Sequence, residues 1–214
     1  MTRVSFKTLH PLLRSTTLAL AAAALAGPLL AGCAPLLLGG AMMGTGMVVT
    51  DRRTAGIQFE DEAIELKAAT RVRDLLGERG HVSVTSYNRM VLITGEVQNE
   101  ADRAAVDEAV AKVENVRSTV NELAVMGASS IGSRSNDAIL TSKVKATFID
   151  AKDVQSNVFK VVAERGNIYL MGRVTEREAG RAASLARSVS GVAKVIRVVE
   201  LISDAELAAL SNTK

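Results

Sequence analysis

The chain contains one internal repeat, and the length of the repeat restricts what the chain can fold into. The segment VLITGEVQNEADRAA (91–105) aligns with IYLMGRVTEREAGRAA (168–183), and DEAIELKAATRV (61–72) aligns with NDAILTSKVKATF (136–148). The period is about 77 residues, longer than the roughly 20–50 residues of a solenoid unit. A unit of this length is a small domain, so the sequence predicts two copies of one domain in tandem.

Each copy follows the same order of predicted elements. A helical pattern of apolar residues is followed by two short strands joined by a turn, then by an Ala-rich helix and a last strand. The order α-β-β-α-β predicts an α+β fold, in which two helices cover one face of a three-stranded sheet. We assign the domains to 61–125 and 135–203, with a small polar linker at 126–134 and a C-terminal tail at 204–214.

Three residues in this pattern have expected structural roles. Asp61 precedes the first helical pattern and is expected to cap that helix. Gly95 and Gly172 occupy equivalent places beside the second strand of each copy, where we expect a backbone feature such as a bulge. Because a domain of about 65 residues has a marginal core, we also expect the two domains to pack against one another.

The segment before Cys33, the only cysteine, has the order of a secretory signal. Basic residues come first, an apolar run covers 18–30, and the run ends in LAGC (30–33). That ending resembles the lipobox of bacterial lipoproteins, which implies lipidation at Cys33 and removal of residues 1–32. The alternative is an uncleaved membrane helix with Cys33 buried in it, but two prolines and several glycines interrupt the apolar stretch.

The residue after Cys33 bears on the location of the protein. Ala34 stands where an aspartate would hold a lipoprotein in the inner membrane, so the resemblance implies anchoring in the outer membrane, on its periplasmic face. Residues 33–60 would then form a lipidated, membrane-proximal tether.

The two domains differ in charge. The chain has 26 basic and 23 acidic residues, but three basic and no acidic residues precede Cys33, which leaves 23 of each. Residues 61–125 hold 12 acidic and 8 basic side chains, whereas residues 135–203 hold 7 acidic and 11 basic ones. Neither balance is that of a nucleic-acid binder, and the opposite signs indicate different partners for the two domains.

The sequence contains no arrangement typical of an enzyme. After Cys33 its sole histidine is His81, and no local cluster of His, Cys or Asp accompanies it to hold a metal. No nucleophile lies beside a candidate base. We therefore predict no catalytic residues, no cofactor, no metal site and no small-molecule substrate.

Three stretches resemble the BON domain: TDRRTAGIQFEDEAIELK (50–67), SNDAILTSKVKATF (135–148) and YLMGRVTEREAGRAASLARSVSGVAKV (169–195). Two such domains behind a lipobox are similar to the dual-BON outer-membrane lipoproteins. The resemblance implies a non-enzymatic protein that binds anionic phospholipid through the first helix of its second domain and supports outer-membrane integrity. It also implies that relatives gather at the division site.

Residues 139–151 on a helical wheel form two apolar sets. One set would face the core and consists of Leu140, Val144, Thr147, Phe148 and Ala151. The second set lies nearly opposite, with lysines around it, and a helix that covers a small sheet needs only one apolar stripe. We predict that this second surface binds phospholipid through Ile139, Lys143, Lys145, Ala146, Ile149 and Lys152.

The equivalent helix of the first domain has a polar surface in this position, with Leu66 as the main exception. The polar residues there are Lys67, Thr70, Arg73 and Asp74.

Two alternatives remain open at this point. Ile139 and Ile149 could pack against the first domain rather than face lipid. The protein could also be an adaptor without intrinsic lipid recognition, with its acidic first domain docking onto an outer-membrane assembly complex, the division machinery or a cell-wall enzyme.

Overall fold

The computed structural model describes residues 51–212, in which the predicted order of elements occurs twice. The first domain consists of α1 (Ala55–Leu76), β1 (Gly80–Tyr87), β2 (Met90–Val97), α2 (Glu100–Ala111), β3 (Ser118–Asn121) and β4 (Ala124–Val125). The second consists of α3 (Ile131–Asp150), β5 (Phe159–Glu164), β6 (Asn167–Val174), α4 (Glu176–Ser188) and β7 (Lys194–Leu201), followed by α5 (Asp204–Asn212). The α+β fold predicted from the sequence is confirmed. Helix α3 begins within the segment assigned to the linker, and α5 lies in the segment assigned to the tail.

Both sheets have the same mixed topology. Strand β2 is central in the first domain, antiparallel to β1 and parallel to β3 and β4. Strand β6 is central in the second, antiparallel to β5 and parallel to β7. Each hairpin turns through two residues with positive φ, Asn88-Arg89 and Arg165-Gly166, the backbone that suits the right-handed twist of paired strands.

Alternate residues of each sheet face the helices and form two separate cores. In the first domain, α1 and α2 pack onto the sheet around Ile64, Val91, Ile93 and Val106, each of which is at most 1% exposed. In the second, Phe148 of α3 meets Phe159 edge to face, with ring centroids 5.6 Å apart. No helix of residues 51–212 has the length and apolar character needed to cross a membrane.

The other face of each sheet packs against the opposite sheet. This inter-sheet layer is centred on Leu92 of the first domain and on Tyr169, Met171 and Val198 of the second, none more than 4% exposed. The two domains therefore form a four-layer body, helices–sheet–sheet–helices, within one compact unit. Packing between the domains was expected from their small size, and this face-to-face arrangement is its form.

The prediction that Asp61 caps the first helix is wrong. Helix α1 begins at Ala55, where Thr54 accepts a hydrogen bond from the Ile57 N–H, so Asp61 lies in the second turn. Its buried carboxylate accepts hydrogen bonds from the N–H groups of Asn88 and Arg89, both 2.8 Å long. This carboxylate therefore provides the hydrogen-bond acceptors for the two backbone N–H groups of the left-handed hairpin turn.

Asp137 does the same in the second repeat. It accepts from the N–H groups of Arg165 and Gly166, at 2.9 and 2.8 Å. The aspartate is thus a feature of the fold that links the first helix of each domain to the hairpin turn.

The glycines beside the second strands serve close strand approach, and the expected bulge is absent from the β1–β2 and β5–β6 ladders. Gly95 has φ +119°, and a Cβ there would lie 2.0 Å from the His81 carbonyl oxygen. A Cβ on Gly172 would lie 2.7 Å from the Val158 carbonyl oxygen. The backbone of the first strand, or of the residue just before it, occupies the space that a side chain would need.

A strap of three residues, Asp51–Arg53, crosses from one domain to the other before α1. The Arg52 guanidinium donates to both carboxylate oxygens of Glu178, at 2.6 and 2.8 Å, and to the Arg173 carbonyl oxygen. Arg53 donates to Asp61 and stacks over the Tyr87 ring, with 4.1 Å from its guanidinium carbon to the ring centroid. The strap thus joins α4 of the second domain to α1 and β1 of the first.

Replacing Gly95 by alanine should destabilise the fold by roughly 2–4 kcal/mol, because the positive φ and the His81 carbonyl both oppose a Cβ. Gly180 is the matched control. It is a solvent-exposed residue within α4, and nothing lies within 4 Å of a Cβ placed there. Gly180→Ala should therefore stabilise the protein by roughly 0.5–1 kcal/mol. Urea denaturation of both variants measures the two effects, and equal effects would contradict this role of Gly95.

Replacing Glu178 by glutamine should remove part of the acid sensitivity of the fold. The hydrogen bonds from Arg52 lower the pKa of Glu178 from 4.5 to about 2. The ionised carboxylate therefore stabilises the fold above pH 4.5, and this contribution is lost as the pH falls toward about 2. We expect Glu178→Gln to lose about 1–2 kcal/mol at pH 7 and to show a flatter decline between these pH values.

Glu176→Gln is the control for this change. Glu176 lies on the same helix as Glu178 and pairs with Arg197 of β7, but its side chain is 65% exposed. This substitution should change stability by less than about 0.5 kcal/mol. Denaturant titrations at pH 7 and pH 3 distinguish the two variants, and parallel pH profiles of wild type and Glu178→Gln would refute the assignment.

Candidate functional site

Helix α3 has one buried and one free face. Its core side carries Asp137, Leu140, Val144 and Phe148, each at most 8% exposed, where the helix lies on its sheet. The free side leaves the predicted isoleucines accessible, Ile139 at 54% and Ile149 at 70% exposure. These exposures rule out the alternative in which both side chains are buried against the first domain.

The other predicted residues lie on or beside this free face. Ala146, Lys143 and Lys145 are all exposed, and Lys152 is exposed just after the helix ends. A shallow depression lined by Ala138, Ile139, Ser142, Lys143 and Ala146 runs along the middle of the helix. The structure groups Ile139 with Lys143 and Ala146, and Ile149 with Lys145, along the exposed side of α3. We call this side, together with Lys152 just beyond the helix, the α3 face.

A third isoleucine of the α3 face was not predicted from the sequence. Ile131 is 80% exposed in the first turn of α3. It precedes Ile149 by 18 residues, which is five full helical turns, so the two side chains project in the same direction. Ile131 fell in the segment assigned to the linker, and only the true start of the helix reveals its position.

The strap reaches the α3 face at its C-terminal end. Asp51 lines one depression together with Lys145, Ile149 and Phe159. The described part of the chain therefore begins beside this end of α3. Cys33, the predicted lipidation site, lies outside the described residues.

The equivalent helix of the first domain also exposes apolar residues, which the sequence only partly indicated. Leu66 is 70% exposed, as its position predicted, and Phe59 is 71% exposed on the same side of α1. Phe59 was assigned to the tether because the helix was expected to begin near Asp61. Lys67 lies close to this surface and donates to Glu114 of the first domain at 3.0 Å.

A separate polar group lies at one end of the inter-sheet layer and was not expected from the sequence. His81, Glu96 and Glu164 approach one another there, with Arg165 beside them. Burial and the nearby charge of Glu96 raise the pKa of the Glu164 carboxyl. Burial, together with the Arg134 charge, lowers the pKa of His81.

Comparison with known proteins supplies the family. The family model of the BON domain matches residues 65–127 and 136–202. The outer membrane lipoprotein DolP of Haemophilus influenzae is 36% identical to this chain over 176 residues, covering 81% of this chain and 90% of that protein.

Two further relatives are more distant. The 21 kDa hemolysin of Actinobacillus pleuropneumoniae is 30% identical over 71% of this chain and 79% of its own length. The osmotically-inducible protein Y of Escherichia coli is 30% identical over 64% of this chain and 70% of its own length. Because the two matched segments cover more than half of the sequence and correspond to the two folded domains, the chain belongs to the BON domain family and carries two copies of the domain.

Proposed function

We propose that this chain is a lipoprotein of the outer membrane, anchored at Cys33 on the periplasmic face, that binds anionic phospholipid through the α3 face and supports membrane integrity. The observation that carries the proposal is the exposure of Ile139 and Ile149, at 54% and 70%, on a helix whose core side is already filled. The similarity to an outer membrane lipoprotein supports the location.

The α3 face combines two contributions to binding an anionic bilayer, apolar burial and electrostatic attraction. Burying an isoleucine side chain in the acyl region contributes roughly 1.5–3 kcal/mol. A lysine near an anionic surface contributes about 1 kcal/mol, and Lys143 and Lys145 lie beside the isoleucines with exposed side chains. Their aliphatic stems can lie on the acyl region while the ammonium groups meet phosphate oxygens.

The position of the strap also supports membrane contact through the α3 face. Because Asp51 lies beside Lys145 and Ile149, an anchored chain would enter the folded domains next to the end of the α3 face. The 18 residues from Cys33 to Asp51 span at most roughly 60 Å when extended. Headgroup contacts of the anchored protein would then be effectively intramolecular, so weak contacts suffice.

Acidic substitution of the isoleucines should abolish lipid binding. We would measure flotation of a fragment comprising residues 51–214, which contains both cores, with vesicles of phosphatidylglycerol or phosphatidylcholine. The wild-type fragment should float with phosphatidylglycerol and far less with phosphatidylcholine. Ile139→Glu and Ile149→Glu should each lower the bound fraction at least tenfold, because each removes an apolar contact and adds a repelled charge.

Leu66→Glu is the matched control, because Leu66 has the same 70% exposure as Ile149 but lies on α1 of the first domain. It should float like wild type, and circular dichroism should show all variants folded. If the wild-type fragment floats with neither lipid, intrinsic lipid recognition is refuted. If Leu66→Glu loses binding and the isoleucine variants keep it, the lipid-binding site is on the first domain and the proposal is refuted.

Neutralising the lysines should reduce binding in a salt-dependent manner. Lys143→Gln and Lys145→Gln should each weaken binding to phosphatidylglycerol about fivefold at low salt, with a smaller difference at high salt because exposed charges are screened. Lys112→Gln, at an exposed lysine of the first domain, should leave binding unchanged. Vesicle co-sedimentation at two salt concentrations gives these ratios, and an effect of Lys112→Gln equal to the others would show only general charge attraction.

A second function, protein docking by the first domain, is favoured by the exposed apolar side of α1. Phe59 and Leu66 are 71% and 70% exposed on a domain whose acidic residues exceed its basic ones by four. Its charge opposes anionic lipid, so a protein partner in the envelope fits this surface better. Such docking is compatible with lipid binding by α3, since the two helices belong to different domains.

A further inference from the structure

Three side chains of kinds that bind metals meet at one end of the inter-sheet layer. His81 of β1 and Glu96 of β2 are direct cross-strand partners, and Glu164 is the last residue of β5 in the second domain. One ligand atom from each residue lies within 4.8 Å of the other two. The residues are far apart in the sequence and come from both domains, so no local motif indicates the group.

The two carboxylates are buried with too little positive charge around them. Glu96 is fully buried and Glu164 is 5% exposed. Arg165 donates to Glu96 Oε1 at 3.3 Å, but its shorter bond, 2.6 Å, is to the Gly95 carbonyl oxygen. Buried charges are costly unless they are paired or coordinate a metal. Arg165 is thus the one cation paired with a carboxylate of the group in the described part of the chain, and of the two carboxylates it bonds only to Glu96.

The His81 imidazole supplies an independent observation. Its Nδ1 atom is buried and has no hydrogen-bond partner within the described part of the chain. The nearest carboxylate atom, Glu96 Oε2, is 3.7 Å away, which is too far for a hydrogen bond. The His81 side chain is 30% exposed, so an ion can reach the group from solvent beside the imidazole ring.

We propose that His81 Nδ1, Glu96 and Glu164 bind a divalent transition-metal ion, with zinc the best match, between the two domains. One imidazole and two carboxylates with a water molecule complete the four-coordinate N/O set that zinc accepts. Imidazole disfavours magnesium and calcium, which prefer oxygen ligands alone. In a tetrahedral zinc site with bond lengths near 2.1 Å, the ligand atoms lie about 3.4 Å from one another. Side-chain rotations that move the ligand atoms by about 1 Å would bring the three residues to this spacing.

Glu96 keeps an oxygen available for the metal. The Oε1 atom accepts from Arg165, whereas Oε2 accepts a single hydrogen bond from the Ser129 N–H at 3.1 Å. A carboxylate oxygen has two lone pairs, so Oε2 can bind an ion while Arg165 and Ser129 hold the carboxylate in place, as outer-shell partners do in metal sites.

The group is specific to this interface rather than a feature of the repeated fold. The β1–β2 and β5–β6 registers align Gly95 with Gly172, so the second domain has Arg173 where the first has Glu96, and Val158 where the first has His81. The proposal is independent of lipid binding, because none of its three ligand residues belongs to the α3 face. Bound zinc would tie β1 and β2 to β5 and so stabilise the assembled domains.

The experiment uses the 51–214 fragment, which contains both cores and has His81 as its single histidine. After treatment with EDTA and its removal, ZnCl2 is added in a calorimeter and in parallel thermal denaturations. We expect one zinc ion per chain with micromolar or tighter Kd, and a Tm that rises with zinc concentration. The imidazole resonances of His81 should shift in the NMR spectrum, which assigns the site without ambiguity because no other histidine is present.

His81→Ala and Glu164→Gln should each weaken zinc binding at least tenfold. Glu200→Gln is the control, since Glu200 also lies at the domain interface, bonded to Arg117 and Asn88, and it should bind zinc like wild type. Absence of binding below millimolar zinc, equal binding by His81→Ala, or unshifted His81 resonances at saturating zinc would each overturn the proposal.

Discussion

The packing of one sheet against the other is the interaction on which the rest of this structure depends. Each sheet has helices on one side only, so its second face would leave a contiguous apolar surface in water. Leu92, Tyr169 and Met171 remove that surface by meeting between the domains. The same arrangement makes the helices the outer layers of the body, and this is why the free side of α3 can face a bilayer.

Polar contacts around this layer fix how the two domains meet. Lys160 donates to Glu65 of α1 at 2.6 Å, and Asn88 donates to Glu200 of β7, also at 2.6 Å. The strap adds Arg52 and Arg53, one bonded to each domain. An ion pair in one location contributes little, but contacts on several sides restrict sliding and rotation that apolar packing alone would tolerate. The position of Asp51 beside the α3 face follows from this restriction.

Local patterns in the sequence predicted most of the fold and part of the site. The hairpin strands, the Ala-rich helices and both domains followed from hydrophobic periodicity and the repeat, because each pattern reflects a local preference. The exposure of Ile139 and Ile149 was predicted because two apolar stripes on one helix exceed what a small sheet can cover. Helix starts were less predictable, so Asp61 was taken for a cap, and Phe59 and Ile131 were assigned to flanking segments.

The amino-acid sequence alone predicts two small α+β domains in tandem with opposite net charges. It also predicts a surplus apolar face on the first helix of the second domain. These properties depend on residues close together in the chain. Three features become visible only in the folded molecule: the sheets meet face to face, Asp51 lies beside the α3 face, and His81 lies near Glu96 and Glu164. Such contacts join residues from different elements and both domains, and the inter-sheet packing that brings them together leaves no periodic signal in either segment.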